Sequence, residues 1–550
     1  MSKMSNLVRS SSPWKMIPKR PHVPEDSQSD EIYRSSSPWK MIPKRPHVPE
    51  DSQSDETYRS ILGWLSDCVD NHQKCPSNII SPLPSRVIDV ENRKTLKLYV
   101  SASENGRYVA LSHRWGSSAL TTTLANLQLR KKCIVWAELP KIFQDAIAIT
   151  RQLGLKYLWI DSLCIIQDDI EDWQRQSAQM ASIYANAYVT IAATSSDSSD
   201  STCLSLNNRG GAPVQLNHPS VFTRRPLNHG HMFNSNENNS TYPLFGRAWC
   251  FQERLLSTRT LHYTKDEIVF ECRTGYRCEC GSIWTGAQSA VSDCLKLAYA
   301  QILEESRKFG DADRYIGTTI TSPCNKETLL WFRILGEYTA TQITFDRDTL
   351  PALSGVADKM PLDLMGRYLA GLWEQNLIYG LLWRSQDGLK CRRHHIYIAP
   401  SFSWASRSGP ITFPYFTSRY KHSAEIAEVV CQPVGFNTTG EVSGGFVRLR
   451  GSLAAVQFMK TSKDPVSCVL HKGSSAKAAI MIDSREALEI EDGNVVYCLS
   501  MLFSGRPKVY YTLVLMESTS HPEGFERIGT ANDVPGEWFR DAIFREVTIF

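Results

Sequence analysis

From about Ile61 the chain alternates between two hydrophobic periods, one of two residues and one near three and a half. Val87–Val90 and Leu96–Val100 are short apolar runs parted by polar Glu91–Lys94, the pattern of a hairpin. Tyr108–Leu111 is apolar throughout and runs into Ser112-His113-Arg114, which predicts a buried strand with polar groups at its carboxyl end. Leu139-Pro140 then opens a stretch in which Ile142, Ala146, Ile149 and Leu153 share a helical face until Gly154. Leu155–Ile160 is a second apolar strand, ending at Asp161. Asp172 is the expected N-cap of a helix whose stripe of Trp173, Ser177, Met180, Tyr184 and Tyr188 leads into a third strand ending at Thr194. Strand, helix, strand, helix, strand predicts an α/β fold: a parallel sheet with helices on both faces, the three strand ends being neighbours.

Ser195–Ser240 is polar and rich in Ser and Asn, which predicts a long surface insertion before a helix starting near Arg247. Thr260–Tyr263 and Ile268–Cys272 form another expected hairpin, and Leu329–Leu382 is helix-rich. From about Thr412 short apolar runs separated by Gly, Asn and Ser predict a β-rich region, including Phe446–Leu449, Ala478–Ile482, Val495–Leu499, Val509–Leu515 and Val547–Phe550. Before the globular pattern begins, Arg9–Tyr33 recurs as Arg34–Tyr58 with a single difference, Ile32 against Thr57. Each copy carries too few apolar residues to build a core, so the segment is expected to be a disordered arm. The expected organisation is an arm at 1–60, an α/β domain at 61–290, a helical extension at 291–410 and a β-rich region at 411–550.

Composition narrows the partners. A net charge of +4 over 550 residues points to neither nucleic acid nor a membrane surface. Fifteen cysteines, scattered through apolar runs, read as reduced core thiols rather than a disulfide framework, which implies a reducing, cytoplasmic setting. No stretch approaches the roughly 20 apolar residues of a membrane span.

The candidate chemistry lies at the strand ends. Asp161 closes one strand, while Ser112, His113 and Arg114 close another; a parallel sheet would bring them to one rim. There Arg114 suits a phosphate and His113 a hydrogen bond; equally, Asp161 could cap the following turn and pair with Arg114 as a structural bridge. Trp249 and Glu253 are four apart and share a helix face, with Arg247 and Arg254 nearby. A carboxylate against an indole is desolvated and holds its proton more tightly; a buried glutamate paired to an arginine is the structural alternative. Cys272, Cys278 and Cys280, with Cys294 and Cys324 beyond, match no usual zinc spacing, so no metal is expected there. Phosphate-loop, His-Glu-x-x-His and Gly-x-Ser-x-Gly motifs are absent from the sequence.

Three segments carry a resemblance, and three more follow them. Tyr108-Val-Ala-Leu-Ser-His-Arg-Trp-Gly116 resembles the opening motif of the fungal heterokaryon-incompatibility (HET) domain, with His113 where that motif has Tyr. Tyr157–Asp169 and Gly246–Ser257 are similar to later blocks of the domain. Leu350–Gly355, Tyr368–Trp373 and Ala399–Ser406 resemble the region that often follows it. The resemblance implies a role in fungal non-self recognition and cell death, with protein partners from an incompatibility or immune-receptor system and self-association. It also implies a distant likeness to Toll/interleukin-receptor (TIR) domains, which have a flavodoxin-like fold and some of which cleave NAD. In those enzymes the glutamate of a Trp-x-x-x-Glu helix is catalytic. The carry-over would make Glu253 the catalytic carboxylate and place Ser112, His113, Arg114, Trp115, Asp161 and Trp249 around the ligand. NAD would then be a substrate and no bound cofactor is called for; the alternative is a non-catalytic module that works by protein assembly.

Overall fold

The computed structural model describes residues 48–76, 80–116, 120–204, 241–281, 294–308, 322–435, 437–461, 464–473, 476–505 and 508–550. Arg209 and the pairs 214–215 and 222–223 are also described. The first 47 residues of the expected arm lie outside this set. Its last residues do not behave as an arm. Val48 is buried against Phe245, Val269, Cys278 and Cys280, and Ser54 caps a helix, α1 (Asp55–Asn71), by accepting from Thr57 N at 3.2 Å. Tyr58, Ile61, Leu65 and Cys68 recur at helical spacing on its buried face. The folded body therefore begins by Val48, about a dozen residues before the expected boundary at 60.

One eight-stranded sheet organises the first half. Its strands are β1 (Arg86–Asp89), β2 (Lys97–Val100), β3 (Tyr108–Ser112), β4 (Tyr157–Trp159), β5 (Val189–Ala192), β6 (Arg259–Tyr263), β7 (Ile268–Cys272) and β8 (Tyr276–Cys278). They lie side by side in the order β8-β7-β6-β5-β3-β4-β1-β2. The expected strands ending at Ser112, Asp161 and Thr194 are indeed parallel neighbours, with β3 between β4 and β5. β6 adds a fourth parallel strand beside β5. The sheet as a whole is mixed, because both predicted hairpins join it: β1 and β2 run antiparallel at one edge, β7 and β8 at the other. Short hairpin connections permit only antiparallel pairing, so the crossovers are confined to the centre.

Helices α2 (Lys141–Gln152) and α3 (Ile170–Asn186) supply the central crossovers. α2 stops where predicted, at Gly154, whose φ of +70° suits a glycine. α3 starts earlier than expected. Its N-cap is Asp169, which accepts from Asp172 N at 3.1 Å. Asp172 itself is buried, pairing with Arg86 and accepting from Ile166 N at 2.9 Å. The start of the expected surface insertion also belongs to the body: Thr202 Oγ1 and Cys203 N both donate to buried Asp145, and Cys203 and Leu204 are buried. Most of residues 205–240 lie outside the described set.

α4 (Ala248–Leu256) precedes β6, and after the sheet come α5 (Leu295–Lys308), α6 (Lys326–Thr339) and α7 (Pro351–Ala357). α7 lies against α4 and α3 at a very close approach. A Cβ on Gly355 would fall 2.3 Å from Ala181 Cβ, and Gly355 N donates to Gln252 Oε1 at 2.7 Å. The expected divisions near 290 and 410 are not marked by separate cores. One apolar cluster runs from Ala248 and Leu255 through Trp331, Leu353 and Trp404 to Leu449, Leu513 and Ile549.

The C-terminal region is β-rich, as expected. Six strands close into a ring: β10 (Val442–Thr461), β11 (Asp464–Lys472), β12 (Ala476–Ile482), β13 (Val495–Ser504), β14 (Val509–Glu517) and β15 (Phe525–Pro535). They pair in the order β10-β11-β12-β15-β14-β13 and back to β10. Closure leaves no free edge among the six. β9 (Glu425–Pro433) and β16 (Ile543–Ile549) pair with the first half of the long β10. Arg527, wholly buried, fastens the ring to the helical extension. It donates to Asp483 at 2.8 and 3.0 Å and to the carbonyls of Leu381 and Trp383, and it stacks over the Trp383 ring at 3.5 Å.

Candidate ligand site at the carboxyl rim of the sheet

The four parallel strands stand side by side as second, first, third and fourth in chain order. The chain therefore reverses its direction of winding between β3 and β5, the position at which open α/β sheets gather ligand-binding groups. The loops leaving β3 and β5 meet there, with Gly116 N donating to Ser199 Oγ at 2.8 Å.

Ser112 is the last residue of β3 and is buried. Asp161 follows β4 and is fixed from two sides: Trp115 Nε1 donates to its Oδ2 at 2.7 Å, and Ser162 N to its Oδ1 at 2.7 Å. His113 Nδ1 stands 3.8 Å from the same carboxylate. Its ring is buried edge-on to Phe143, and burial pulls its pKa down to about 4 despite Asp161, so the imidazole is neutral at physiological pH. Arg247, the residue before α4, donates to His113 O at 2.9 Å and lies over the Trp115 ring.

α4 brings Glu253 to this rim. The side chain is 4 % exposed. Burial, reinforced by the negative charge of Asp161, pushes its pKa up to about 7; nearby Ser112, Arg247 and Tyr184 pull in the opposite direction. Its Oε2 is buried with no hydrogen-bond partner among the described residues, and so is His113 Nδ1. Tyr184 OH donates to Leu111 O at 2.9 Å and also lies close enough to Glu253 to lower its pKa. The neighbouring carboxylate, Glu271, differs sharply. It is wholly buried but held well below the usual glutamate range, because Arg254, Lys296 and His262 surround it against the cost of burial. Glu253 has no such cage.

The structure thus brings Ser112, His113, Trp115, Asp161 and Glu253 together and adds Arg247 and Tyr184. Two expected members stand apart. Arg114 is half-buried in the same loop, but its electrostatic neighbour is Asp197. It does not bridge to Asp161, whose near partners are Trp115 and His113. Trp249 shares the helix with Glu253, yet its Nε1 donates to Asp348 Oδ2 at 3.0 Å, towards the helical extension. The expected structural pairing of Glu253 with an arginine is not made directly: Arg254 binds Glu271 through Nε and Nη2, and Arg247 binds a carbonyl. Tyr184 was legible only as part of an apolar stripe, although a tyrosine on the helix facing β3 is the signal that would have found it.

A winding reversal lined by carboxylates, a neutral histidine and an arginine marks a domain of the α/β class with a cluster of polar side chains at its carboxyl rim. Residues 108–253 of the chain match the family described as Heterokaryon incompatibility protein (HET), so this α/β domain is a HET domain. The match ends at Glu253 and spans all of the rim residues named above. No curated protein and no solved structure matches the chain. Among the described residues, no helix is long and apolar enough to cross a membrane.

Proposed function

We propose that the chain acts in heterokaryon incompatibility as an effector whose rim cleaves NAD at the bond between ribose and nicotinamide. One observation carries this reading: a buried carboxyl, Glu253, sits at the winding reversal with a raised pKa and an oxygen that no described group satisfies. Such an oxygen is costly unless a ligand hydroxyl meets it, and the nicotinamide ribose offers two. The strand order adds support, since second-first-third-fourth is the beginning of the flavodoxin-like order that TIR domains share.

In this reading the C1′–N bond breaks with its electron pair leaving on nicotinamide, and water adds at C1′ to give ADP-ribose. Ionised Glu253 holds the ribose hydroxyls and stabilises the positive charge that develops on the sugar. Arg247, half-buried, is the cation available to the pyrophosphate, and Trp115 is the ring available to stack. Ser112, His113 and Glu253 are buried whereas Arg114, Trp115, Asp161 and Arg247 keep some exposure, so a ligand meets the latter group first. A dinucleotide would reach Glu253 only after the rim opens, which fits an effector held silent until a protein partner engages it.

That same burial favours a second reading, in which Glu253 only secures α4 and the domain signals by assembly. Expression of the full chain and of Glu253→Gln in fungal cells separates the two. The first reading expects growth arrest with a fall in cellular NAD, both lost in the variant at equal protein level. A variant that still arrests growth supports assembly.

A further inference from the structure

Apart from the rim residues, where α1 meets β7, four side chains converge. Cys68 and His72 are four apart at the end of α1 and project from one side of it. Cys75 returns to them through a turn closed by its own N–H, which donates to His72 O at 3.0 Å. Cys272, the last residue of β7, completes the group from about two hundred residues away. The three Sγ atoms and a nitrogen of His72 all lie within 4.8 Å of one another. Cys272 Sγ stands 3.3 Å from His72 Nδ1. A tetrahedral zinc bound at roughly 2.3 Å to sulfur and 2.0 Å to nitrogen requires donor separations of about 3.5 to 3.8 Å.

We propose that Cys68, His72, Cys75 and Cys272 bind a structural zinc ion that staples α1 to strand β7 of the HET-domain sheet. Four protein donors fill a tetrahedron, leaving no open position for substrate, and that closure marks a structural rather than a catalytic metal. The surroundings are those such a centre needs. Thr274 N donates to Cys272 Sγ at 3.4 Å, and Thr274 Oγ1 lies 3.7 Å from Cys75 Sγ. His72 turns its other nitrogen towards Asp67, with Nε2 3.6 Å from Oδ2, the carboxylate contact that orients a zinc-bound imidazole.

Arg259 supplies an independent argument. It is wholly buried, and its partners are Cys68 Sγ at 3.2 Å and the carbonyls of Pro76 and Tyr188. Among the described residues no carboxylate pairs with it. A buried guanidinium without a counter-charge is strongly unfavourable. Three thiolates and one zinc carry a net charge of −1, so the metal centre provides the missing anion. On binding, the three thiols release their protons to solvent, so the affinity weakens as the pH is lowered.

The other cysteine group is different. Among the described residues Cys278 and Cys280 group with Glu267, a set of three donors rather than four. Judging Cys272 together with Cys278 and Cys280 therefore joined residues that face different neighbours. The informative spacing was Cys68-x-x-x-His72-x-x-Cys75.

The test is metal analysis of the full chain purified without chelator. The proposal expects about one zinc per chain, falling at least tenfold in Cys75→Ser and in Cys272→Ser and unchanged in Cys278→Ser. Because the first two variants could fail to fold, the intact chain is also stripped and reloaded with cobalt. A tetrahedral three-sulfur site then shows thiolate-to-cobalt charge transfer in the near ultraviolet and intense visible bands. Absence of zinc with no cobalt spectrum, a disulfide among Cys68, Cys75 and Cys272 in the freshly purified chain, or loss of zinc in Cys278→Ser would each overturn it.

Discussion

Replacing Glu253 by glutamine should make the protein's stability less sensitive to alkaline pH, and the size of the effect follows from the site. The folded carboxyl holds its proton to about pH 7, against an ordinary value of 4.5. Between those values the unfolded chain has released the proton while the folded chain keeps it. Stability therefore falls as pH rises from 4.5 through 7, and the contribution is lost in full above that window. A displacement of this size corresponds to about 3 kcal/mol, of which roughly 2 to 3 kcal/mol falls between pH 5 and pH 8. Glutamine cannot ionise, so the variant escapes the loss. Guanidinium unfolding of both full-length proteins at the two pH values measures the effect as a double difference, in which every other titrating group, His113 included, cancels. The variant should gain on the parent by roughly 2 to 3 kcal/mol on going from pH 5 to pH 8. An unchanged gap between the two proteins would refute the reasoning, since it would mean that the carboxyl is hydrated or paired in the folded state.

Two further outcomes follow from the packing. Glu271→Gln leaves Arg254, Lys296 and His262 around a neutral amide in a dry interior, and should cost about 3 to 5 kcal/mol in unfolding free energy; a loss below 1 kcal/mol would mean that water reaches the cluster. Truncation should separate the duplicated segment into two parts. Removing residues 1–46 is expected to leave the melting temperature unchanged, whereas removing 1–58 deletes Val48 from its apolar contacts and Thr57 from its 3.1 Å bond to Glu279 and should lower it by several degrees. Equal melting temperatures for the two truncations would show that these contacts contribute nothing.

How much could be read beforehand depended on the range of each interaction. The strand ends at Ser112 and Asp161 were legible because an apolar run that stops at a polar residue marks its own end, and parallel packing of the three strands followed from the helices between them. The start of α3 was misplaced because the acidic run from Asp168 to Asp172 offers several caps. Only the fold shows that Asp172 is drawn inward by Arg86, a partner 86 residues earlier. The arm boundary failed for a related reason. Val48 and Thr57 look like part of a polar repeat until Val269, Cys278 and Glu279 are placed beside them. The helical extension and the β-rich ring each showed their local periods, but nothing local reports that they share one core with α4. The cysteine cluster is the extreme case, since Cys272 meets Cys68 and Cys75 only through the packing of strand β7 and first helix.

The central claim is that Glu253 acts on a ribose at the rim of the HET domain, and release of nicotinamide from NAD by the purified chain tests it most directly. The account predicts that nicotinamide and ADP-ribose accumulate in equal amounts with the parent protein. With folded Glu253→Gln the rate should fall by at least a hundredfold, on the scale of losing one preorganised charge at a developing cation. Undiminished turnover by that variant, or no turnover by the parent chain with its incompatibility partner present, would contradict it.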